Sequence, residues 1–346
     1  MRTAPSFTAR LAALVILLSA TGCLTLHAAL QAAEGQFELL AARKPIAEVI
    51  QSPRTPRRLR ALLSEIPRIK RFGEANGLRP TASYQDYVQL RRPSAVYVVS
   101  ACEPLRFRSK TWSFPIAGDF PYLGWFNLRS AQDYAKDLED DGWDVDVRGA
   151  PAYSTLGWFH DPVLSSMIPQ GPEALGALVD VVLHESVHAT LHLEGQAPFN
   201  ESLASFVAAA LTPRYFAQTH GAGSTQLGAW RLAEERFAAA ALELGTAREV
   251  LDKLYSSSLS DGEKRARKAL VLDDLRARLH TRRRLTNATL AQHRTYSSGR
   301  EGFARVLKAC RGEVRCLLAR VRTLTPKSFS TRHQENLEPV LLQLAQ

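Results

Sequence analysis

The sequence is poor in cysteine and methionine, with four and two residues in a chain of 346, and it lacks internal repeats and low-complexity linkers. The cysteines have no metal-binding spacing, which excludes a cysteine-based zinc site. Without a repeat or a linker, the sequence shows no clean domain boundary. We expect Cys102 to be a buried thiol, whereas Cys310 and Cys316 could form a local disulfide if the helix breaks between them.

The N-terminus has no hydrophobic run long enough to cross a bilayer. Its apolar run, Leu11–Ala20, is about ten residues long and follows two arginines, which is typical of a secretory signal. Residues 19–23, Ser-Ala-Thr-Gly-Cys, resemble a bacterial lipobox, in which the cysteine becomes the lipidated first residue of the mature chain. We therefore expect a signal peptide at 1–22 and a lipid anchor on Cys23, in the outer membrane facing the periplasm. The alternative is ordinary cleavage near Ala33, which would leave a soluble periplasmic protein.

Charge is unevenly distributed along the chain. The net charge of +10 is the sum of +7 over residues 1–71, −8 over residues 72–213 and +11 over residues 214–346. The arginine runs at 57–58 and 282–284 lack the interleaved aromatic residues that single-strand nucleic-acid binders use. We therefore expect no nucleic-acid partner, and place the basic residues on solvated helix faces or against an anionic membrane surface.

The spacing of apolar residues predicts an α+β fold that is mainly α, with a small mixed β-sheet. Strands are predicted at Ser94–Cys102, Thr111–Ile116 and Trp143–Arg148. Helices are predicted at Gly35–Leu63 with proline interruptions, Pro67–Asn76, Ser130–Asp141 capped by Ser130, Glu173–Leu193, Asn200–Leu211, Gly228–Leu254, Asp261–Arg283 and Asn287–Leu324. We divide the mature chain into a catalytic region, 23–213, and a basic helical C-terminal region, 214–346, because the charge balance reverses there.

One segment carries recognisable chemistry, the HExxH motif His184-Glu185-Ser186-Val187-His188 within a helical and largely apolar pattern. Residues four apart share a helix face, so His184 and His188 present two imidazoles to one metal ion. Glu185 is offset and can hold the water that the metal activates. The alternative is a pair of hydrogen-bonded histidines in a buried helix.

A catalytic zinc ion usually takes three protein ligands and leaves its fourth position to water. The downstream candidates are His192, Glu194 and Glu201. His192 continues the same helix face, but it lies about 12 Å along the axis from the first histidine, too far for both to share one ion. We favour Glu201, with Asn200 capping a new helix. Because helical side chains lean toward the N-terminus, Glu201 reaches the metal only if the first helix ends soon after His188.

Further segments accompany the HExxH motif: Gly35–Leu40, Phe114–Gly118, Pro121-Tyr122, Ala152–Pro162, Phe199–Ala204 and Asn287–Ala291. Together they resemble the predicted-aminopeptidase family of proteobacterial lipoproteins over nearly the whole mature chain. The resemblance implies a zincin-like catalytic domain of the gluzincin type, in which His184, His188 and Glu201 bind one zinc ion and Glu185 is the general base. The chain reads His-Glu-Ser-Val-His-Ala where the family has an HELAHQ-like motif, a difference outside the ligand positions.

Residues outside the motif have both a functional and a structural interpretation. Tyr153 could donate a hydrogen bond to the oxyanion formed during hydrolysis, or pack. Asp161 could orient a ligand imidazole, or cap the helix expected after Pro162. His160 is expected to be a loop histidine outside the site. The strand at 143–148 could bind an extended peptide along its edge, or be an ordinary half-buried strand.

The motif and the resemblance together predict a zinc-dependent peptidase, in particular an aminopeptidase acting on peptides in the bacterial cell envelope. The alternatives are an endopeptidase acting on envelope proteins and a catalytically silent, zinc-stabilised lipoprotein scaffold. The acidic middle region, 72–213, suits a divalent ion and the free ammonium group of a peptide substrate.

Overall fold

The computed structural model describes residues 23–114, 118–152, 160–297 and 299–345, and it is mainly helical with short strands, as predicted. The first elements are α1 (Cys23–Ala42), β1 (Lys44–Pro45), α2 (Ile46–Gln51), α3 (Arg57–Ala75), β2 (Asp86–Val88), β3 (Val96–Cys102), β4 (Trp112–Phe114), β5 (Gly118–Phe120), β6 (Leu123–Trp125), α4 (Leu128–Asp140), β7 (Asp144–Ala150) and β8 (Val163–Leu164). After a 3₁₀ turn at Ser165–Met167 come α5 (Ala174–Thr190), α6 (Ala197–Thr219), α7 (Thr225–Tyr255), α8 (Asp261–Arg278), α9 (Asn287–Ser297), α10 (Arg300–Ala309), α11 (Val314–Val321), a 3₁₀ turn at Pro326–Ser328 and α12 (Glu338–Ala345).

The strands form three small sheets. The largest has the order β6-β3-β7 with antiparallel pairing, and every residue of β3 is buried because α4 covers one face and α9 the other. A second sheet has the order β1-β2-β8, with β2 and β8 parallel, and β4 pairs with β5 in a hairpin. The strands predicted at 94–102 and 143–148 are therefore confirmed, and they pair with each other from Val96↔Ala150 to Cys102↔Asp144.

Helices α5 and α6 form the centre of the molecule and are apolar on most of their circumference. They pack against each other, and α5 also contacts α3 and α7. Two glycines allow this close packing. A β-carbon on Gly176 of α5 would lie 2.4 Å from the Trp230 side chain on α7, and one on Gly73 of α3 would lie 3.2 Å from Leu183. The HExxH motif thus lies on a helix that is enclosed by three others.

Several predicted helix boundaries are wrong for identifiable reasons, and two of them concern α4 and α3. The cap of α4 is Asn127 rather than Ser130, and its side-chain oxygen accepts a hydrogen bond of 3.1 Å from the Ser130 backbone N–H. Pro67 does not begin a new helix but lies inside α3, whose buried face continues across it with Ile66 and Ile69. Packing of that face outweighs the hydrogen bond that proline removes.

The segment predicted as one helix from Asn287 to Leu324 is three helices. It is interrupted at Gly299, with φ of +79°, and at Arg311 and Gly312, with φ of +52° and +85°. Left-handed backbone of this kind ends a helix. The second interruption brings Cys310 and Cys316 together in a disulfide, with their α-carbons 5.6 Å apart. Cys102 is a free and buried thiol, as predicted.

The C-terminal helices are joined to the β6-β3-β7 sheet through buried polar groups. The carboxylate of Asp144 on β7 forms an ion pair with Lys268 of α8 and accepts a 2.9 Å hydrogen bond from the backbone N–H of Asn287. Asp144 is half-buried, whereas Asp146 is buried and bonds to Arg283 and Thr289. The compositional division at residue 214 lies within α6, so it does not coincide with the end of an element. Among the described residues, no helix is both long and apolar enough to cross a membrane.

Residues 326–336, which we call the C-terminal strap, cross the turn between α5 and α6. The buried side-chain amide of Gln196 binds the strap at two points: its nitrogen donates to the Thr331 carbonyl at 2.8 Å, and its oxygen accepts from the Gln334 N–H at 3.1 Å. The His333 N–H also donates to the Gly195 carbonyl at 2.7 Å. The strap therefore holds the turn that joins the two central helices.

Candidate metal centre

The motif histidines lie in the last turns of α5. This helix ends at Thr190, and Leu191 is extended, with φ of −152° and ψ of 125°. The end is fixed from outside the helix, because the Arg79 backbone N–H donates a 2.8 Å hydrogen bond to the Thr190 hydroxyl. The helix thus stops two residues after His188, which is the condition under which Glu201 can reach the histidines.

The turn after α5 positions Glu201. Gly195 has φ of +70°, which favours glycine, and α6 begins at Ala197 with Gln196 as its capping position. Asn200 is inside α6 and is not its cap, which corrects the sequence prediction. Its side-chain amide instead bonds to both backbone groups of Leu193, accepting from the N–H at 2.9 Å and donating to the carbonyl at 2.8 Å. Glu201, the next residue, lies in the second turn of the helix.

The structure brings His184, His188 and Glu201 into one cluster. The two Nε2 atoms are 3.1 Å apart, and the Glu201 carboxylate oxygens lie 3.4 Å from His184 Nε2 and 3.7 Å from His188 Nε2. A tetrahedral zinc ion with ligands about 2.0–2.1 Å away places those ligands about 3.3 Å from one another. The shortest distances between the three donor groups are therefore close to the spacing of zinc ligands, with the two distances to Glu201 measured to different carboxylate oxygens.

His188 is buried and His184 and Glu201 are half-buried, so each of these groups strongly affects the protonation of the others. Burial alone would lower the pKa of His184, but the hydrogen bond with Glu201 and the neighbouring carboxylates, Glu185 among them, raise it to about 9. Burial alone would raise the pKa of Glu201, but its hydrogen bonds with the two histidines hold that pKa well below the usual range. Without a metal, a proton on His184 thus balances the negative charge of Glu201.

Two buried polar atoms of the motif lack a hydrogen-bond partner among the described residues, Glu185 Oε2 and His188 Nδ1. An unsatisfied carboxylate oxygen in a buried position is costly unless a ligand or water completes it. Glu185 directly follows His184 in the sequence but is not one of the three residues of the cluster. The unpartnered Oε2 of Glu185 could accept a proton from a water molecule at the metal. Two imidazole nitrogens and one carboxylate are also a set of ligands that fits zinc.

Behind His184 a polar seam continues between α5 and α6. The His184 Nδ1 atom lies 3.5 Å from the Ser205 hydroxyl, and one turn earlier on α5 the Asp180 carboxylate lies 3.5 Å from the Thr212 hydroxyl. Burial first, and the charge of Glu234 on α7 second, raise the pKa of Asp180 to about 7, against the opposing effects of His184 and of the Thr212 hydrogen bond. Sequence analysis missed Ser205 and Asp180, although both follow the helical spacing of the ligands.

The other candidate residues have different outcomes. His192 and Glu194 are exposed and lie outside the three-residue cluster. His160 is exposed, as expected for a loop histidine. Asp161 is buried and caps no α-helix, because β8 and a 3₁₀ turn follow it. Tyr153 lies outside the described residues.

The strand considered as a peptide-binding edge is β7, which is indeed an edge strand of its sheet. At the start of β7, however, groups that an added peptide strand would need to reach already bind the C-terminal helices and the segment before α9. The carbonyl of Val145 accepts a hydrogen bond from the Thr286 hydroxyl, and Asp144 and Asp146 bind the C-terminal helices. This end of β7 thus holds the C-terminal region against the sheet.

Two histidines and a glutamate around one point, with a second glutamate beside them, define a candidate metal centre of a hydrolytic type. The chain belongs to the family described as “Putative aminopeptidase”, whose model matches residues 29–336. Membership of this family classes the protein as a peptidase. Neither the curated proteins nor the solved structures contain a match to it.

Proposed function

We propose that the protein is a zinc-dependent peptidase with one catalytic zinc ion held by His184, His188 and Glu201, on a zincin-like fold of the gluzincin type. The observation that carries the proposal is the spacing of the three donor groups, with Nε2 atoms 3.1 Å apart and carboxylate oxygens 3.4 and 3.7 Å from them. Family membership supports the peptidase class, and the free Oε2 of Glu185 supports a hydrolytic reaction.

Zinc at this site would supply Lewis-acid polarisation of the scissile carbonyl and a lowered pKa for water. Glu185 accepts a proton from the attacking water, so that the water oxygen can form a bond to the carbonyl carbon. When the carbon–nitrogen bond breaks, Glu185 returns this proton to the leaving amine. The products are a carboxylate and a free amine, and Glu185 is regenerated as a carboxylate. Tyr153 stays a predicted hydrogen-bond donor to the oxyanion.

The test is the metal content and peptide hydrolysis of the purified protein beside Glu185→Gln. We expect one zinc per chain in both proteins and a loss of hydrolysis of at least about 10³-fold in the variant, because the amide cannot accept the proton. Glu194→Gln is the matched control, since Glu194 is exposed and outside the cluster. Full activity of Glu185→Gln with zinc in place would refute the role of Glu185 as general base, whereas no hydrolysis by the zinc-loaded wild type would favour the silent scaffold.

The aminopeptidase mode is tested by comparing a peptide with its N-acetylated form. We propose recognition of a free amino terminus, which the acidic surroundings of the site favour electrostatically. The net charge of residues 72–213 is −8. Acetylation should therefore reduce kcat/KM by at least about 10²-fold, equivalent to about 2.7 kcal/mol. Equal cleavage of the two peptides would exclude recognition of a free amino terminus and favour the endopeptidase alternative.

We also propose that residues 1–22 are removed and that Cys23 is lipidated in the outer membrane, so that the enzyme acts on envelope peptides in the periplasm. The support is the lipobox-like sequence at 19–23. Cys23→Ser should move the protein from the membrane to the soluble fraction of cells expressing the full chain. Cleavage near Ala33 in the native protein, read by N-terminal sequencing, would contradict the anchor.

A further inference from the structure

The first helix, α1, is bound to the rest of the protein along one face. The side-chain amide of Gln31 bonds to the backbone at the end of β6: its nitrogen donates to the Gly124 carbonyl at 2.9 Å, and its oxygen accepts from the Phe126 N–H at 3.0 Å. Gly35 is so close to Phe126 that a β-carbon on it would lie 2.0 Å from the ring, and Leu39 is buried. One face of α1 is thus fixed against the β6-β3-β7 sheet.

The opposite face of α1 is apolar and exposed. Leu30 is 61% exposed and Phe37 is 71% exposed, and the exposed Ala33 and Ala41 continue the same face. We call these four residues the α1 stripe. Single exposed apolar side chains are ordinary on a protein surface, whereas a row of them along one helix face indicates a surface that contacts something apolar.

Charges beside the α1 stripe do not favour a charged partner. Glu34 and Glu38 lie at its border, and both carboxylate oxygens of Glu38 accept hydrogen bonds of 2.9 Å from Arg92. The stripe itself carries no ionisable side chain. Its occupant therefore has to offer hydrocarbon rather than charge.

The chain that precedes α1 indicates what this occupant is. The apolar run Leu11–Ala20 is separated from α1 by only two residues, and Cys23, the proposed lipidated residue, is the first residue of α1. Helix positions seven apart lie on one face, so positions 23, 30 and 37 share a face. Leu30 and Phe37 lie about 10 and 21 Å along the axis from the residue that carries the lipid.

We propose that the α1 stripe is a membrane-contacting surface, whose occupant is the bilayer in which the Cys23 lipid is anchored. The inference rests on the proposed lipid anchor and not on the peptidase activity. α1 lies parallel to the membrane, because only this orientation removes both Leu30 and Phe37 from water. The face that binds the sheet then points away from the bilayer. Two large side chains bind a bilayer too weakly to replace the lipid, so Cys23→Ser should still become soluble.

The test places one fluorescent label on the stripe of the lipidated protein. The full chain carrying Phe37→Cys is expressed in bacterial cells, its lipid is verified by mass spectrometry, and the protein is reconstituted in phosphatidylcholine vesicles. A thiol-reactive nitrobenzoxadiazole label then reacts only at residue 37. The thiol of Cys23 carries the lipid, Cys102 is buried, and Cys310 and Cys316 form a disulfide.

Leu242→Cys, labelled in the same way, is the matched control, because Leu242 is 72% exposed but lies on α7. We expect the label at residue 37 to show blue-shifted emission and quenching by nitroxide-bearing lipids, while the label at residue 242 keeps its emission in water. A label at residue 37 that stays in water in the lipidated protein would overturn the role of the stripe and leave the anchor intact. Cleavage near Ala33 would overturn the anchor, and this inference with it.

A second measurement needs no label. On vesicles, hydrogen exchange of the α1 backbone should be at least about tenfold slower in the wild type than in Leu30→Ser/Phe37→Ser, with equal helix content by circular dichroism. Leu242→Ser should keep the wild-type rate. Equal exchange in the wild type and the double variant would contradict the proposal. Light scattering in detergent tests the other occupant: a wild-type dimer that the double variant converts to a monomer would assign the stripe to a second copy of the chain and overturn the bilayer as its occupant.

Discussion

At the scale of single residues, the metal cluster holds a proton where a metal ion would bind. The pKa of His184 is about 9 because Glu201 and other carboxylates outweigh the effect of burial, so His184 is protonated at neutral pH in the metal-free protein. Ligand imidazoles must be neutral to bind zinc. A zinc ion therefore has to displace this proton before it can use His184 Nε2.

This competition predicts a pH-dependent zinc affinity. Between about pH 7 and pH 9 the affinity should rise roughly tenfold per pH unit and then level off, with about one proton released per zinc ion bound at pH 7.5. Isothermal titration calorimetry in two buffers of different ionisation enthalpy measures that proton. Glu201→Gln, which removes the main carboxylate partner of His184, should release less than one proton and bind zinc more weakly. A pH-independent affinity in the wild type would contradict the assignment.

Two of the three metal ligands could be predicted from local sequence spacing, and the third could not. The HExxH spacing was sufficient to place His184 and His188 on one face, because a regular helix leaves no freedom there. The prediction of Glu201 as a ligand held only on the condition that α5 ends soon after His188. That end depends on a hydrogen bond from Arg79, more than a hundred residues earlier in the sequence. The role of Asn200 in bracing Leu193 depends in the same way on the folded turn.

At the scale of elements, α5 and α6 are two buried apolar helices with one polar seam between them. Metal ligands occupy one end of the seam, and Asp180 lies one turn behind His184 with Glu234 of α7 near it. Burial first, and Glu234 second, raise the pKa of Asp180 from 3.8 to about 7. An acid with a higher pKa when folded stabilises the protein below its unfolded pKa, and this contribution is lost as the pH rises through about 7.

Asp180→Asn should remove this pH dependence from the metal-free protein. The asparagine is neutral at every pH, whereas the aspartate becomes a buried charge above about pH 7. The free energy of unfolding of the wild type should fall by about 1–2 kcal/mol more than that of the variant between pH 5.5 and pH 8. Urea denaturation at the two pH values measures the difference. Parallel changes in both proteins would show that Asp180 stays ionised throughout.

The second element-scale feature is the disulfide between α10 and α11. In the oxidised protein, replacing both Cys310 and Cys316 with serine should lower the free energy of unfolding by about 2 kcal/mol, because a short loop is released in the unfolded chain. The double variant should be insensitive to dithiothreitol, and reductant should destabilise the wild type to the same extent. Equal stability of wild type and variant without reductant would contradict this prediction. The sequence predicted a possible bond here, but the helix break that allows it comes from Arg311 and Gly312 in left-handed conformations.

At the scale of the whole molecule, several basic residues bind groups of the protein itself. Lys70 and Arg58 bind backbone carbonyls of neighbouring loops, Arg214 binds the Gly312 carbonyl at 2.8 Å, and Lys268 bonds to both Asp144 and the Pro104 carbonyl. A net charge computed from composition carries no information on such contacts. The fold class was predictable from periodicity, but the sheet order and the C-terminal strap were not, since contacts between distant segments leave no local pattern.

A prediction at the scale of the whole molecule concerns the C-terminal strap. Gln196→Ala removes two hydrogen bonds and leaves the Thr331 carbonyl and the Gln334 N–H without them, so it should destabilise the protein by about 2 kcal/mol. It should also weaken zinc binding, because Glu201 follows this turn. Chemical denaturation and competition with a zinc chelator measure the two effects, and Gln226→Ala, on an exposed residue, is the control. A loss of stability without any loss of zinc affinity would limit the strap to a structural role.

The strap also bears on the time at which the metal centre is completed during synthesis. A ribosome produces the three ligands before residues 326–336, so a nascent chain carries His184, His188 and Glu201 while Gln196 still lacks the strap. If Gln196→Ala weakens zinc binding as predicted, the nascent chain should bind metal ions more weakly than the finished protein. We then expect the choice between metal ions to be made by the completed chain, in the compartment where it finishes folding.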